Sequence, residues 1–153
     1  MAFAENTTVP VDKTRGEIER LITIKHKCKS YQSGIDFVNR TGIVQFQAHD
    51  RFVRFTIALP DPNDTKRFGW GQRARKLAEQ AERTIWRALL LVVKAKLEAV
   101  ESKIATFEEE FLAHIVMPND QTVGTLMLPI VARAYQTGAM PFDRLLTAGE
   151  DPK

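Results

Sequence analysis

Cysteine is nearly absent: Cys28 is the only one in 153 residues. No intrachain disulfide is possible and a cysteine metal cluster is excluded, which makes a reducing cytoplasm the expected compartment. No apolar run approaches the roughly 18–20 residues that a membrane helix needs. The longest candidate, residues 88–93, is flanked by Arg87 and Lys94, so no membrane association is expected. The first eight residues have neither a basic n-region nor an apolar h-region, and no secretory signal is expected. Glycine spacing is equally uninformative for cofactors: Gly69 and Gly71 are not followed by the remainder of a Walker or dinucleotide pattern. Ser30, Ser33 and Ser102 lack the context of a nucleophile elbow.

What remains is the composition of a folded domain, 44% hydrophobic and 27% charged, too apolar for a disordered chain. The length suits a single domain, placed at residues 10–146, with polar stretches 1–9 and 147–153 read as flexible ends. The net charge of +3 is unevenly spread. Residues 1–96 hold 18 Lys/Arg against 10 Asp/Glu, or +8, whereas residues 97–153 hold 4 against 9, or −5. Such asymmetry fits a polyanion partner for the basic half, head-to-tail association of copies into a homo-oligomer, or plain mutual neutralisation within one fold.

Periodicity predicts an α+β fold. Thr14 and Glu17 have capping-box spacing, and Ile18, Leu21 and Ile22 follow at helical intervals, predicting a helix over residues 12–25. The period then changes to two. Ile35 and Phe37 suggest a short strand before a turn at residues 39–42. Val44, Phe46 and Ala48 alternate with Gln45 and Gln47, and after a tight turn at residues 49–51 so do Val53, Phe55, Ile57 and Leu59 with polar neighbours. That is a three-stranded antiparallel meander with one apolar face. A long loop is expected over residues 60–72, then one long helix over residues 72–102 whose buried stripe reads Leu77, Ala81, Ile85, Ala88, Leu89 and Val92. Its middle, residues 85–93, is apolar nearly all round, which suits the centre of the fold or a partner. Two or three shorter helices complete the chain. Thr106 and Glu109 form a second capping-box match before Phe107, Phe111, Leu112 and Ile115. Thr122 caps a last helical region in which Pro129 is tolerable at the start of a new turn, and Gly138 and Pro141 stop it.

One segment stands out for chemistry. Residues 66–76 hold five cations and no acid: Lys66, Arg67, Arg73, Arg75 and Lys76, with Phe68 and Trp70 interleaved with Gly69 and Gly71. Cations displace counterions from phosphates, and aromatic faces stack on unpaired bases. Glycines let the backbone approach a ligand, and the start of the long helix favours an anion. The same residues also fit a solvated loop whose aromatics tuck back onto the core. A second basic group comprises Lys25, Lys27, Lys29, Arg40, Arg51 and Arg54, with Arg54, Phe52 and Thr56 expected on the outer face of the meander beside Gln45 and Gln47; an ordinary solvated face accounts for it too.

Catalytic signals are thin. His26, His49 and His114 are the only histidines, and His114 follows Glu110 by four residues without an HExxH-like partner. Glu108, Glu109 and Glu110 are explained by a helix N-terminus, which favours negative charge. Cys28 beside lysines has the setting of a lowered pKa, although a lone cysteine at a helix end is ordinarily inert. No metal site and no cofactor are expected.

The stretches VPVDKTRGEIERLI, VQFQAHDRFVRFTIALP and RALLLVVKAKLEAVESKIATFEEEFLAHIVMP resemble a group of uncharacterised phage and prophage proteins over residues 9–146, most specifically in residues 97–111. No assigned activity comes with that resemblance; it implies a phage or prophage setting, within a DNA-metabolism gene cluster. Separately, three antiparallel strands followed by one long helix is the order of the core of Rad52/Redβ-like single-strand annealing proteins, a likeness of topology alone. The expected function is a non-catalytic phage-type accessory protein that binds nucleic acid, single-stranded DNA foremost, in replication or recombination. Lys66, Arg67, Arg73, Arg75 and Lys76 would meet phosphates, Phe68 and Trp70 would stack on bases, and Arg51 and Arg54 would extend the track. The alternative is a protein-interaction module, an inhibitor or adaptor for a host or phage protein. An enzyme comes third.

Overall fold

The computed structural model describes residues 4–140; the readings made at Pro141 and over residues 147–153 lie outside the described residues. The architecture is mixed α+β, with an N-terminal helix, a three-stranded antiparallel sheet, a long helix and shorter C-terminal helices. Helix α1 (Val11–Arg20) continues into a π-turn over Leu21–Lys25. The capping box expected at Thr14 is not formed. Pro10, extended at φ −59°, starts the helix earlier, and the Thr14 amide closes the first turn on the Pro10 carbonyl at 3.1 Å. Thr14, Ile18 and Ile22, spaced four apart, are buried on one face. Glu17 is turned instead to Arg87, 2.6 Å away.

Strands β1 (Ser30–Asp36), β2 (Thr41–Ala48) and β3 (Arg51–Ala58) pair in chain order. β1 starts earlier than expected and ends before Phe37, because the Asp36 carboxylate turns the chain by accepting the Val38 and Asn39 amides at 2.8 and 2.9 Å. His49 and Asp50, both at positive φ (49° and 58°), make the tight β2–β3 turn, whose twist matches that of the strands. The register sets Val44 opposite Phe55 and Phe46 opposite Val53 on the inner face, and Gln45 opposite Arg54 and Gln47 opposite Phe52 on the outer face. The expected division of faces holds.

Helix α3 (Gly71–Glu101) crosses the inner face and spans about 45 Å at ~1.5 Å per residue. Its buried stripe differs from the expected one: Ala74, Ala78, Trp86, Leu89, Leu90, Val93 and Leu97 face inward, while Leu77 and Val92 are exposed. Where the middle of a helix is apolar all round, composition leaves the phase open, and Trp86 sets it here. Its Cζ2 lies where a Cβ on Gly42 would be, at 2.7 Å, so only glycine lets the helix come this close to β2. The N-terminal stretch docks on the same helix: Ala4 is buried, and Gln80 donates to the carbonyls of Glu5 and Thr7.

The capping box at Thr106 and Glu109 forms as expected and starts α4 (Phe107–Phe111). That helix is only five residues long. A 3₁₀ turn (Leu112–His114) follows, then Ile115 bridges Val53 and the Val116 amide bonds the Phe52 carbonyl at 2.8 Å, covering the outer edge of β3. Phe111 meets Phe46 and Phe55 edge-on and closes the core. Thr122 caps α5 (Val123–Thr137), which ends on Gly138 in the left-handed conformation. Pro129 lies inside this helix rather than starting a new one. Among the described residues no helix is long and apolar enough to cross a membrane.

Candidate nucleic-acid interface

The connection after β3 is more ordered than an irregular loop. The Leu59 amide bonds the Arg40 carbonyl at 2.7 Å, and Arg40 in turn donates to the Pro60 carbonyl and pairs with Glu82 of α3 at 3.4 Å. A one-turn helix, α2 (Thr65–Phe68), follows, capped by Asp64 through the Arg67 amide. Lys66, Arg67 and Phe68 therefore sit on a helical turn. Gly69 and Gly71 have φ of +79° and +74°, a region L side chains rarely adopt, and these two reversals hold Trp70 outward between them.

The two aromatics separate. Phe68 is half-buried, with the Arg67 guanidinium 4.8 Å over its ring. Trp70 is 83% exposed, far outside what an indole adopts when it serves the core. Beside it lies an open cleft of about 420 Å³ lined by Pro62, Asn63, Thr65, Gln72 and Arg75 together with the Trp70 segment. Asn63, Thr65 and Gln72 bring amide and hydroxyl groups that the sequence pattern did not single out. Gln72 lies within the charged segment, and the only signal for Asn63 and Thr65 was proximity to it.

Lys66, Arg67, Arg73, Arg75 and Lys76 are all exposed, and among the described residues none of them is in an ion pair. Three of them lie at the start of α3, whose first turn has no acid and no side-chain cap. The far end mirrors this: the last turn of α3 has no base and carries Glu98 and Glu101. Helix dipoles favour acids at the N-terminus and bases at the C-terminus. A helix of 31 residues with both ends inverted is working against its own macrodipole.

Of the second basic group, Arg40 is spent on the Pro60 carbonyl and Glu82 at the base of this connection, and Arg51 and Arg54 do not join the site. Arg51 opens β3 and the cleft lies beyond its end, so an eight-residue strand of ~3.3 Å per residue separates them by roughly 25 Å. Arg54 shares the outer face with Gln45 and Gln47 as expected, yet all three nitrogens of its guanidinium are engaged: Nε donates to Gln45 Oε1 at 2.8 Å, Nη1 to the Asp120 carbonyl and Nη2 to the Asp120 carboxylate. Lys29 pairs with Asp50.

The histidine and cysteine readings resolve structurally. Glu110 is held by Lys96, not His114, and His114 stacks on Phe55 with ring centres 4.0 Å apart. His49 stacks on Phe107. Burial pushes the Cys28 thiol above its ordinary pKa, in line with the inert reading and against activation by its lysine neighbours. Among the described residues no cluster of three His, Cys, Asp or Glu could hold a metal ion.

Burial first, then the Lys96 ammonium, lower the His114 pKa below 6.5, against an opposing hydrogen bond that the imidazole donates to the Arg54 backbone carbonyl. The unfolded chain then binds more protons than the folded one in that window. The stabilisation is full above about pH 6.5 and declines as pH falls through the lowered folded value. Thermal melts of wild type and His114→Gln are expected to converge in their pH dependence above neutrality. Below pH 6.5 the wild type should lose melting temperature more steeply; parallel curves there would remove His114 as the cause.

Comparison with protein-family models, curated proteins and solved structures gives no match for this chain, so the site rests on its own geometry.

Proposed function

We propose that the protein binds single-stranded nucleic acid, DNA foremost, through residues 66–76, as a non-catalytic accessory protein. The observation that carries this is the start of α3: cations and an uncapped helix terminus surround an outward tryptophan. Each of these costs the isolated chain something, and breaches of local rules gather at functional sites. A phosphate relieves the repulsion among the cations and accepts from the helix amides. An unpaired base covers the indole. A duplex satisfies the cations but offers no free base face, which is why the single strand is favoured. The sequence resemblance to phage and prophage proteins supports a replication or recombination setting.

Trp70 and Trp86 are the only tryptophans, and Trp86 is fully buried. Quenching of intrinsic fluorescence on adding an oligonucleotide therefore reports Trp70. Anisotropy of labelled single-stranded and duplex oligonucleotides over a salt series is expected to show salt-sensitive binding that prefers the single strand, accompanied by quenching. Absence of binding at low salt would remove this reading.

A protein-interaction role has one specific observation in its favour. None of the 15 residues of α5 is buried, and Leu128 and Tyr135 are 68% and 89% exposed. Helices of this length are marginal in water without tertiary packing, and an exposed apolar patch marks a contact surface. Pull-down with α5 intact against a Leu128→Glu, Tyr135→Glu variant tests it; equal recovery of the same partners would exclude this helix.

A further inference from the structure

The two edges of the sheet are built differently. β3 is covered by the Ile115 bridge and the Val116 hydrogen bond. Among the described residues, β1 has no backbone partner except β2. Its seven residues pair with β2 in unbroken register and contain no proline, no lysine and no bulge, the usual devices that keep an edge strand from pairing. On the inner face Tyr31 and Ile35 pack against the core yet stay only partly covered.

We propose that β1 is a homodimer edge: it pairs antiparallel with β1 of a second copy about a two-fold axis at Ser33, joining the two sheets into one. The strand is self-complementary in that register. Ser33 meets its own equivalent. On the inner face Tyr31 lies opposite the copy's Ile35, so each covers the other's exposed apolar surface. On the outer face Gln32 lies opposite the copy's Gly34. An open depression of about 460 Å³, lined by Gln32, Gly34, Ile43 and Gln45, occupies that place, and a Cβ on Gly34 would meet nothing within 4 Å. There is room for the copy's Gln32 side chain above Gly34. The flanking charges fit the antiparallel arrangement better than the parallel one: Lys27 precedes the strand and Asp36 ends it, so antiparallel pairing sets each basic start near the other's acidic end, while Lys29 is held by Asp50 within its own chain. This surface is separate from residues 66–76 and stands independently of nucleic-acid binding.

Sedimentation of the full chain from low-micromolar to near-millimolar concentration tests the proposal. Wild type is expected to dimerise reversibly. Gly34→Lys places two cations diagonally across the axis, into space that is open in the single chain, and is expected to weaken dimerisation on the order of tenfold or more, with an unchanged thermal melt at concentrations low enough that wild type is monomeric. Tyr135→Lys, on the exposed helix α5, is expected to leave the dimer intact. Hydrogen exchange of wild type supplies a reading independent of any variant: β1 amides should gain protection as concentration rises. A wild type that stays monomeric, or a dimer that survives Gly34→Lys with β1 exchange insensitive to concentration, would overturn it.

Discussion

Replacing Trp86 by alanine is expected to remove roughly 3–5 kcal/mol of folding stability, a large share of the ~5–15 kcal/mol typical of a single domain. The indole is fully buried where α3 crosses β2 and is the largest side chain in the core. Its Cζ2 occupies the space over Gly42, and the Arg15 guanidinium lies over the ring, 5.5 Å from its centre. Truncation leaves a cavity that neither a strand nor a 31-residue helix can close by a small shift. Trp86→Phe should cost clearly less, because it keeps an aromatic ring in place and removes an indole N–H that has no hydrogen-bond partner in the protein. The reverse change tests the same contact. Gly42→Ala puts a methyl 2.7 Å from Trp86 Cζ2 and 2.9 Å from Ile57 Cγ1, an overpacking expected to cost about 1–3 kcal/mol. Combined with Trp86→Phe it should cost less than the sum of the two, since the smaller ring frees the space the methyl needs. Urea unfolding with a constant m-value reads all four variants against wild type. An alanine variant within about 1 kcal/mol of wild type would mean that the helix is not seated on the sheet through this residue.

How far the fold could be read beforehand depended on whether the deciding contact was local. The alternation of Val44, Phe46, Val53 and Phe55, with a two-residue turn between the strands, specifies a hairpin and its buried face without outside help. The two capping-box spacings show the limit. Thr106 and Glu109 satisfy each other because that helix start is exposed, whereas Thr14 at the same spacing is buried and Glu17 is drawn to Arg87, 70 residues away. The phase of α3 was likewise fixed from outside, by the gap at Gly42 that admits Trp86. In the candidate site the charges, glycines and aromatics of residues 66–76 were legible, and so, in principle, was the inverted charge of α3. Which aromatic turns outward was not, because it depends on the positive φ at Gly69 and Gly71 and on a one-turn helix capped by Asp64. Nor could the sequence show that Arg54 is occupied, since Asp120 lies 66 residues further on.

Two changes within residues 66–76 should weaken nucleic-acid binding in ways that differ in kind. Trp70 offers stacking, and Trp70→Ala is expected to cost ~1–3 kcal/mol for a single strand, or roughly 5- to 150-fold in Kd. Stacking displaces no counterions, so the slope of log affinity against log salt should stay as in wild type. Arg67 and Arg73 offer charge from two different helices, α2 and α3. The double variant Arg67→Ala, Arg73→Ala is expected to flatten that slope by roughly 1.4, about 0.7 for each single-strand phosphate no longer neutralised, and to weaken all sequences alike. The side chains are exposed and the Asp64 cap bonds the Arg67 backbone amide rather than its guanidinium, so both variants should melt as wild type does. Duplex binding separates the two further: it should fall with the arginines and stay nearly constant with Trp70. A Trp70→Ala protein that binds single strands at full affinity would leave a merely electrostatic surface. An unchanged slope in the arginine variant would move the phosphate track off this segment altogether.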